Sequence, residues 1–247
     1  MVHVIKIGGS TLANLQDTFF KSLQTRLQNG EKMVIVHGGG PEINKKLQEK
    51  GLPVEMKDGI RVTTQETLKC VKAALKTTTN ANLVERLRKS DIQSVGLCGS
   101  ENQLIQCEYL DKKKYGFVGK VKKVDTAIIK NDLENGKVPV IASLGITVDG
   151  DEVNINADTA AAEVASALSA VSVCFVTDTT GIQIKGQRAN QLSISEIKDG
   201  MNDGQIYGGM VPKVEAAMKC LDLNIEEVVI TDQTLTGTRV LKEVLTA

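Results

Sequence analysis

The chain has no tryptophan, and aromatic residues make up only 3% of its 247 positions. Apolar residues still reach 41%. The core must therefore be Val, Ile, Leu and Ala, the usual filling of a buried parallel sheet covered by helices. There is no surplus of charge, since thirty Lys and Arg are matched by thirty Asp and Glu. No global field draws nucleic acid or an anionic membrane, and any anion site must be built locally. Histidine is scarce too: His3 and His37 are the only two. That argues against a His/Cys zinc site, and no protein-ligated metal is expected. The five cysteines, Cys70, Cys98, Cys107, Cys174 and Cys220, include no C-x-x-C pair. Cys98 and Cys174 lie in apolar runs and read as small core residues. Reduced thiols and a cytoplasmic setting are expected. No apolar run approaches the roughly 18 residues of a membrane helix. The N-terminus enters a strand at once, so no signal peptide is expected.

What is present is an alternation of short β-branched runs with helical patterns. Residues 2–7 read as a strand stopped by Gly8-Gly9, and 33–36 as a strand stopped by Gly38-Gly39-Gly40. Phe19, Leu23 and Leu27 have helical spacing within 18–28. Pro41 suits the first turn of a helix through about Lys50. Thr63 and Glu66 have capping-box spacing before a long helix that carries Leu68, Val71 and Leu75 and extends towards Leu83 and Leu87. Further strands are expected at 94–97, 138–142, 173–176 and 228–230, and polar hairpins at 103–124 and 147–154. Residues 157–170 form an Ala-rich helix, and Pro212 opens another through about Leu221. The alternation predicts a three-layer α/β/α sandwich on a mainly parallel sheet. No repeat or low-complexity linker interrupts it. If there are two lobes, they divide near residue 170, as 1–170 and 171–247.

Glycine turns recur at Gly8-Gly9, Gly38-Gly39-Gly40 and Gly208-Gly209. Glycine lets the backbone approach a ligand closely, and N–H groups at a helix start bind anions. None of the turns matches the Walker or the dinucleotide-binding glycine pattern. Lys6 sits inside an apolar strand beside a glycine turn, which is costly unless its ammonium finds a partner or snorkels to an edge. Lys213 falls in the first turn of a helix, the end that disfavours cations unless an anion is held there. Asp158, in Asn154-Ile155-Asn156-Ala157-Asp158, is either a carboxylate that suits a helix start or an anchor for the two ammonium groups. Arg61, before a capped helix, could clamp a carboxylate with two hydrogen bonds.

Six stretches together resemble the amino-acid kinase family, in its acetylglutamate branch. They are Lys6-Ile7-Gly8-Gly9-Ser10, Val36-His37-Gly38-Gly39-Gly40-Pro41, Gly59-Ile60-Arg61-Val62-Thr63, Asn154-Ile155-Asn156-Ala157-Asp158, Thr177-Asp178-Thr179-Thr180-Gly181 and Tyr207-Gly208-Gly209-Met210-Val211-Pro212-Lys213. The resemblance implies transfer of the γ-phosphoryl group of ATP, with its Mg²⁺, to the γ-carboxylate of N-acetyl-L-glutamate, the second step of arginine biosynthesis. It implies an N-terminal lobe for the acyl amino acid and for dimerisation, and a C-terminal lobe for ATP. Lys6 and Lys213 would stabilise the transition state, and Asp158 would orient both. Gly39, Gly40, Arg61 and Asn154 would hold acetylglutamate. Gly8, Gly9, Asp178, Thr179, Thr180, Gly181, Ile182, Gln205, Ile206, Tyr207, Gly208 and Gly209 would border the nucleotide. A homodimer without arginine feedback is expected, because arginine-inhibited hexamers carry an extra N-terminal helix.

Two rivals stand beside this reading. One is a sister kinase acting on aminoadipate or glutamate tethered to an acidic carrier protein, docking on Lys112, Lys113, Lys114, Lys120, Lys122 and Lys123. The bland account of those lysines is a solvated hairpin face. The other is a non-catalytic nucleotide-binding regulatory domain, though such a domain should lack one of Lys6, Asp158 or Lys213. RNA binding through the lysine cluster lacks interleaved aromatics beyond Tyr109, Tyr115 and Phe117.

Overall fold

A computed structural model describes residues 1–243. The central sheet is formed by β1 (Val2–Ile7), β2 (Lys32–His37), β3 (Ser94–Cys98), β4 (Val138–Ala142), β5 (Ser172–Val176), β6 (Gln191–Ser193), β7 (Glu227–Thr231) and β8 (Thr238–Leu241). Their order is β6-β8-β7-β5-β1-β2-β4-β3. The strands from β7 to β3 run parallel. At the far edge β8 reverses direction, and β6 follows β8. The central strands β4 and β5 are buried along their whole length, as a sheet covered on both faces requires. β5 pairs directly with β1, Val4 opposite Val173, so the sheet passes unbroken from one half of the chain to the other.

Side chains of a strand alternate between faces, and β1 shows the consequence. Val4 packs with Val34, Val36 and the helices Ala157–Ala167 and Val211–Asp222. Ile5 and Ile7 face the other way, towards Phe19, Leu23, Leu83 and Leu87. Each fully buried apolar side chain of this size contributes about 1.5–3 kcal/mol, so the strand's orientation is strongly determined. Lys6 is thereby carried onto the Val4 face, at the end of the strand.

The helices Asp17–Gln28 and Gly40–Glu49 form where the spacing places them, and Pro41 and Pro212 both occupy first turns. The capping box expected at Thr63 does not form. Thr63 is fully buried, and its hydroxyl donates to the Arg61 carbonyl at 2.9 Å. Thr64 caps Gln65–Lys72 instead, accepting from the Thr67 N–H at 3.2 Å. The helix then runs through a π-helical stretch, Ala73–Asn80, into Ala81–Lys89. A capping box does form at Ser193 and Glu196, opening a helix at Ile194–Asn202 that the apolar spacing had not revealed.

The two hairpins are present: Ile105–Tyr109 pairs with Gly119–Val124, and Leu144–Thr147 with Glu152–Asn154. They join in one four-stranded sheet. They are not polar throughout. Ile105, Cys107, Val121 and Val153 are buried and share a core with the helix Ala157–Ala167. Period-two alternation hides this apolar face among lysines in the sequence. All five cysteines are buried and free. Among the described residues no helix is long and apolar enough to cross a membrane.

Candidate active site

β1, β2, β4 and β5 end level with one another. Ile7 pairs with His37 and Val176, and His37 pairs with Ala142. Their exit turns therefore share one edge of the sheet, the carboxyl ends where open α/β sheets hold ligands. The turns at Gly8-Gly9 and at 38–40 touch. A Cβ on Gly9 would lie 2.6 Å from the Gly40 nitrogen and 2.8 Å from Pro41 Cδ. This contact is closed to any residue but glycine.

Lys6 Nζ reaches Asp158 Oδ1 at 2.8 Å. Asp158 is in the first turn of Ala157–Ala167, a helix capped by Asn156, whose side-chain oxygen accepts from the N–H groups of Asp158 and Thr159 at 2.9 and 3.1 Å. The lysine is only 16% exposed, so its charge is largely out of water and needs this partner. Asp158 makes no contact of this kind with Lys213. Lys213 pairs with Asp178, Nζ to Oδ1 at 2.6 Å, and Asp178 is 85% exposed. The neighbouring Lys213 ammonium holds the Asp178 carboxyl below its usual range. The single carboxylate expected between two lysines is thus two carboxylates, one for each.

Lys6, Gly8, Gly9, Gly39, Gly40, Arg61, Asn154 and Asp158 line one cavity of about 200 Å³. Arg61 arrives on a hairpin turned by Asp58 and Gly59, both in the left-handed region at φ 50° and 74°. Its Nη2 donates to Asn44 Oδ1 at 2.6 Å, while its buried Nη1 has no partner among the described residues. Burial lowers the Arg61 pKa. A buried guanidinium donor left without a partner can receive a carboxylate or phosphate oxygen. Asn154 Nδ2 donates to the Thr63 hydroxyl at 3.3 Å, and that hydroxyl donates to the Arg61 carbonyl, so the two residues share one small network. Ser143 and Asn156 also line the cavity. The only sequence sign of either was Asn156's place before the Ala-rich helix.

On the other side of β1, Thr179, Gly181, Gln205 and Tyr207 line a cavity of about 420 Å³. The buried Gln205 Oε1 has no partner among the described residues. Ile182 and Ile206 do not line this cavity. Both are buried in the core beneath it, and Ile182 N–H donates to the Thr238 hydroxyl at 2.8 Å. Thr180, Gly208 and Gly209 belong to the same turns without lining the cavity. Gln183, Lys185 and Met210 do line it. The sequence signal for Gln183 and Lys185 was the Lys185-Gly186 turn, which closes a short hairpin, and Met210 directly follows Gly208-Gly209. A further cavity of about 510 Å³ lies behind the contact of Gly9 with the 38–40 turn. Arg86 on its wall is committed to the carbonyls of Leu15 and Leu12.

The lysine cluster is partly paired, with Lys112 also 3.9 Å from Asp151. Lys114 pairs with Asp58, and Lys120 and Lys122 both pair with Glu108. Among the described residues no group of three or more His, Cys, Asp or Glu is placed to hold a metal.

The sequence profile of the amino acid kinase family matches residues 1–232.

The chain belongs to the amino acid kinase family.

Within it, the chain is 40% identical to the acetylglutamate kinase of Bacillus velezensis, over 97% of this chain and 96% of that one. It is 41% identical to the acetylglutamate kinase of Geobacillus kaustophilus, over 98% and 96%. The solved structure of smu.665 from Streptococcus mutans superposes with a TM-score of 0.88 at 34% identity, covering 98% of this chain and 99% of that one. The carbamate kinase of Giardia has the same fold, with a TM-score of 0.72 at 17% identity over 98% and 99% of the two chains.

Proposed function

We infer that this amino acid kinase transfers the γ-phosphoryl group of ATP to the γ-carboxylate of N-acetyl-L-glutamate, giving ADP and N-acetyl-L-glutamyl 5-phosphate in arginine biosynthesis. The observation that carries the reading is the Lys6–Asp158 ion pair in the cavity that Arg61 also lines, where two glycine turns touch. The relatives, about 40% identical over nearly the whole chain, supply the acceptor.

The acceptor carboxylate has an ordinary pKa near 4.3 and is ionised at pH 7, so no general base is needed. The difficulty is bringing anions together. At an effective dielectric near 20, two unit charges 4 Å apart cost about 4 kcal/mol. Catalysis is then alignment and charge stabilisation. A carboxylate oxygen attacks the γ-phosphorus, and the bond from that phosphorus to the bridging oxygen breaks as ADP leaves with the electron pair. Lys6, held by Asp158, serves the attacking and transferring oxygens. Lys213 serves the transferring and leaving oxygens. Its bridge to the exposed Asp178 is of a kind that contributes about 0–1 kcal/mol, so phosphate can displace that partner. Gly8, Gly9 and Gly40 offer backbone N–H groups, and Arg61 and Asn154 hold the acceptor. Mg²⁺ enters as part of the nucleotide substrate, bound mainly by phosphate and water.

In this reading residues 1–170 bind the acyl amino acid and residues 171–247 bind ATP, within a homodimer in the cytoplasm. Five free buried thiols suit a reducing compartment. The test is trapping of the acyl phosphate with hydroxylamine, using acetylglutamate, glutamate, aspartate and aminoadipate as acceptors. Hydroxamate formed chiefly from acetylglutamate is expected. None from any acceptor would leave the regulatory-domain reading.

A further inference from the structure

His37 ends β2 and is fully buried, immediately before the 38–40 turn. Its Nδ1 lies 3.0 Å from the Gly38 carbonyl oxygen and its Nε2 lies 2.9 Å from Asn80 Nδ2. Asn80, itself buried, closes the π-helical stretch and also donates from Nδ2 to the Val140 carbonyl at 2.8 Å, with the Leu97 carbonyl further off at 3.5 Å. These contacts assign every hydrogen. Turning the Asn80 amide over would set its oxygen against the Val140 carbonyl, acceptor against acceptor. The amide nitrogen must therefore face both Val140 and His37. One of its hydrogens serves the carbonyl and the other serves His37 Nε2, which is then an acceptor. The imidazole proton belongs on Nδ1, where it donates to Gly38.

Residue Gly38 is thus held on both sides of its Cα, because its own N–H, in the preceding peptide, donates to the Ile7 carbonyl at 3.2 Å. In a trans peptide the carbonyl and the next N–H point in opposite directions, and no cis bond occurs among the described residues. His37 pairs in register with Ile7, on the face opposite Lys6. A Gly38 carbonyl drawn to His37 therefore turns the Gly39 N–H towards the Lys6 face. No hydrogen-bond partner for that N–H exists among the described residues. Gly39 is also pressed from behind by the π-helical stretch: a Cβ there would lie 2.8 Å from Leu75 Cδ2 and 3.2 Å from Thr79 Oγ1.

We propose that His37 and Asn80 are a buried positioning pair that fixes the Gly38–Gly39 peptide so that the Gly39 N–H faces the anionic reactants beside Lys6. The inference rests on the phosphotransfer reading, but part of its test does not. In a ¹⁵N NMR spectrum His3 is the only other histidine, and His37 is expected as the Nδ1–H tautomer at pH 7. An Nε2–H tautomer would overturn the proposal whatever the activity. In the hydroxamate assay, H37N keeps an amide donor where Nδ1 stood and is expected within about threefold of wild-type kcat. H37L removes the donor and is expected to lose roughly 10–100-fold in kcat, less than the loss of a whole oxyanion donor, with KM for ATP unchanged. If H37L does not fold, H37Q takes its place, because its amide reaches towards Asn80 rather than Gly38. H37N losing as much as the donor-deficient variant would make His37 a core residue only. Near-wild-type turnover in the latter would also sink the proposal. Absence of activity in the wild type would instead remove the phosphotransfer reading.

Discussion

Lys6 Nζ lies 2.8 Å from Asp158 Oδ1, joining the end of a central strand to the first turn of a helix from much later in the chain. The helix start, with its partial positive charge, stabilises the carboxylate, and the carboxylate holds the ammonium in place. Lys6→Ala should therefore lower kcat roughly 10²–10³-fold, the cost of one preorganised donor. Steady-state hydroxamate kinetics would measure it. Turnover near wild type would take Lys6 out of the mechanism.

Lys213 and Asp178 should behave unequally. Lys213→Ala should cost roughly 10²–10³-fold in kcat by the same reasoning. Asp178→Asn removes only an exposed partner and should change kcat by less than about threefold, in keeping with the small worth of exposed bridges. A loss in Asp178→Asn as large as that in Lys213→Ala would mean the carboxylate acts in the reaction.

Arg61→Ala should act on the acceptor alone. A charged hydrogen bond is worth about 1.5–3 kcal/mol, so KM for acetylglutamate should rise at least about tenfold while KM for ATP holds. An unchanged KM for acetylglutamate would place Arg61 outside the acceptor site.

Gly9→Ala tests the contact between the two turns. The new methyl would meet the Gly40 nitrogen at 2.6 Å, and a backbone has little room to give. Overpacking of this sort costs about 1–3 kcal/mol of stability. Paired melting and activity measurements should show activity falling well beyond the loss of folded protein. An alanine variant with wild-type turnover would show that the turns need not touch.

His37 also has a signature in stability. Burial pushes its pKa down to about 4 from 6.5, partly opposed by its bond to the Gly38 carbonyl. Between those values the unfolded chain binds a proton that the folded chain refuses. Stability therefore rises with pH across that window and is lost as pH falls from about 6.5 to about 4. The loss is on the order of 3 kcal/mol. Denaturant melts of wild type and H37N at pH 7 and pH 4.5 should show a smaller loss in H37N. Equal losses would show that His37 does not carry the effect.

Much of the molecule could be read directly from residue order. The alternation of Val4 with Ile5, the glycines after β1 and β2, and the prolines at Pro41 and Pro212 are local patterns. A periodicity or a backbone preference is written into neighbouring residues, so strands, helices and the turns that face the ligand edge needed no distant partner to be recognised. That Lys6, Arg61, Asn154 and Asp158 share a place was implied by the family resemblance of their motifs and not by any local pattern, and in the structure they line one cavity.

Packing between distant segments decided the rest. Thr63 had the spacing of a helix cap, but burial against Arg61 and Asn154 claimed its hydroxyl and passed the cap to Thr64. Ile182 and Ile206 sat in ligand-like turns yet were drawn into the core, because burying an apolar side chain outweighs its place on a turn. Asn80 meets His37 at the end of a π-helical stretch that no local propensity announced. The two lysines show the division most clearly. Their presence and their glycine turns were legible in the sequence. Which carboxylate holds each one was settled only in three dimensions, because an ion pair forms with whatever partner packing brings within about 3 Å.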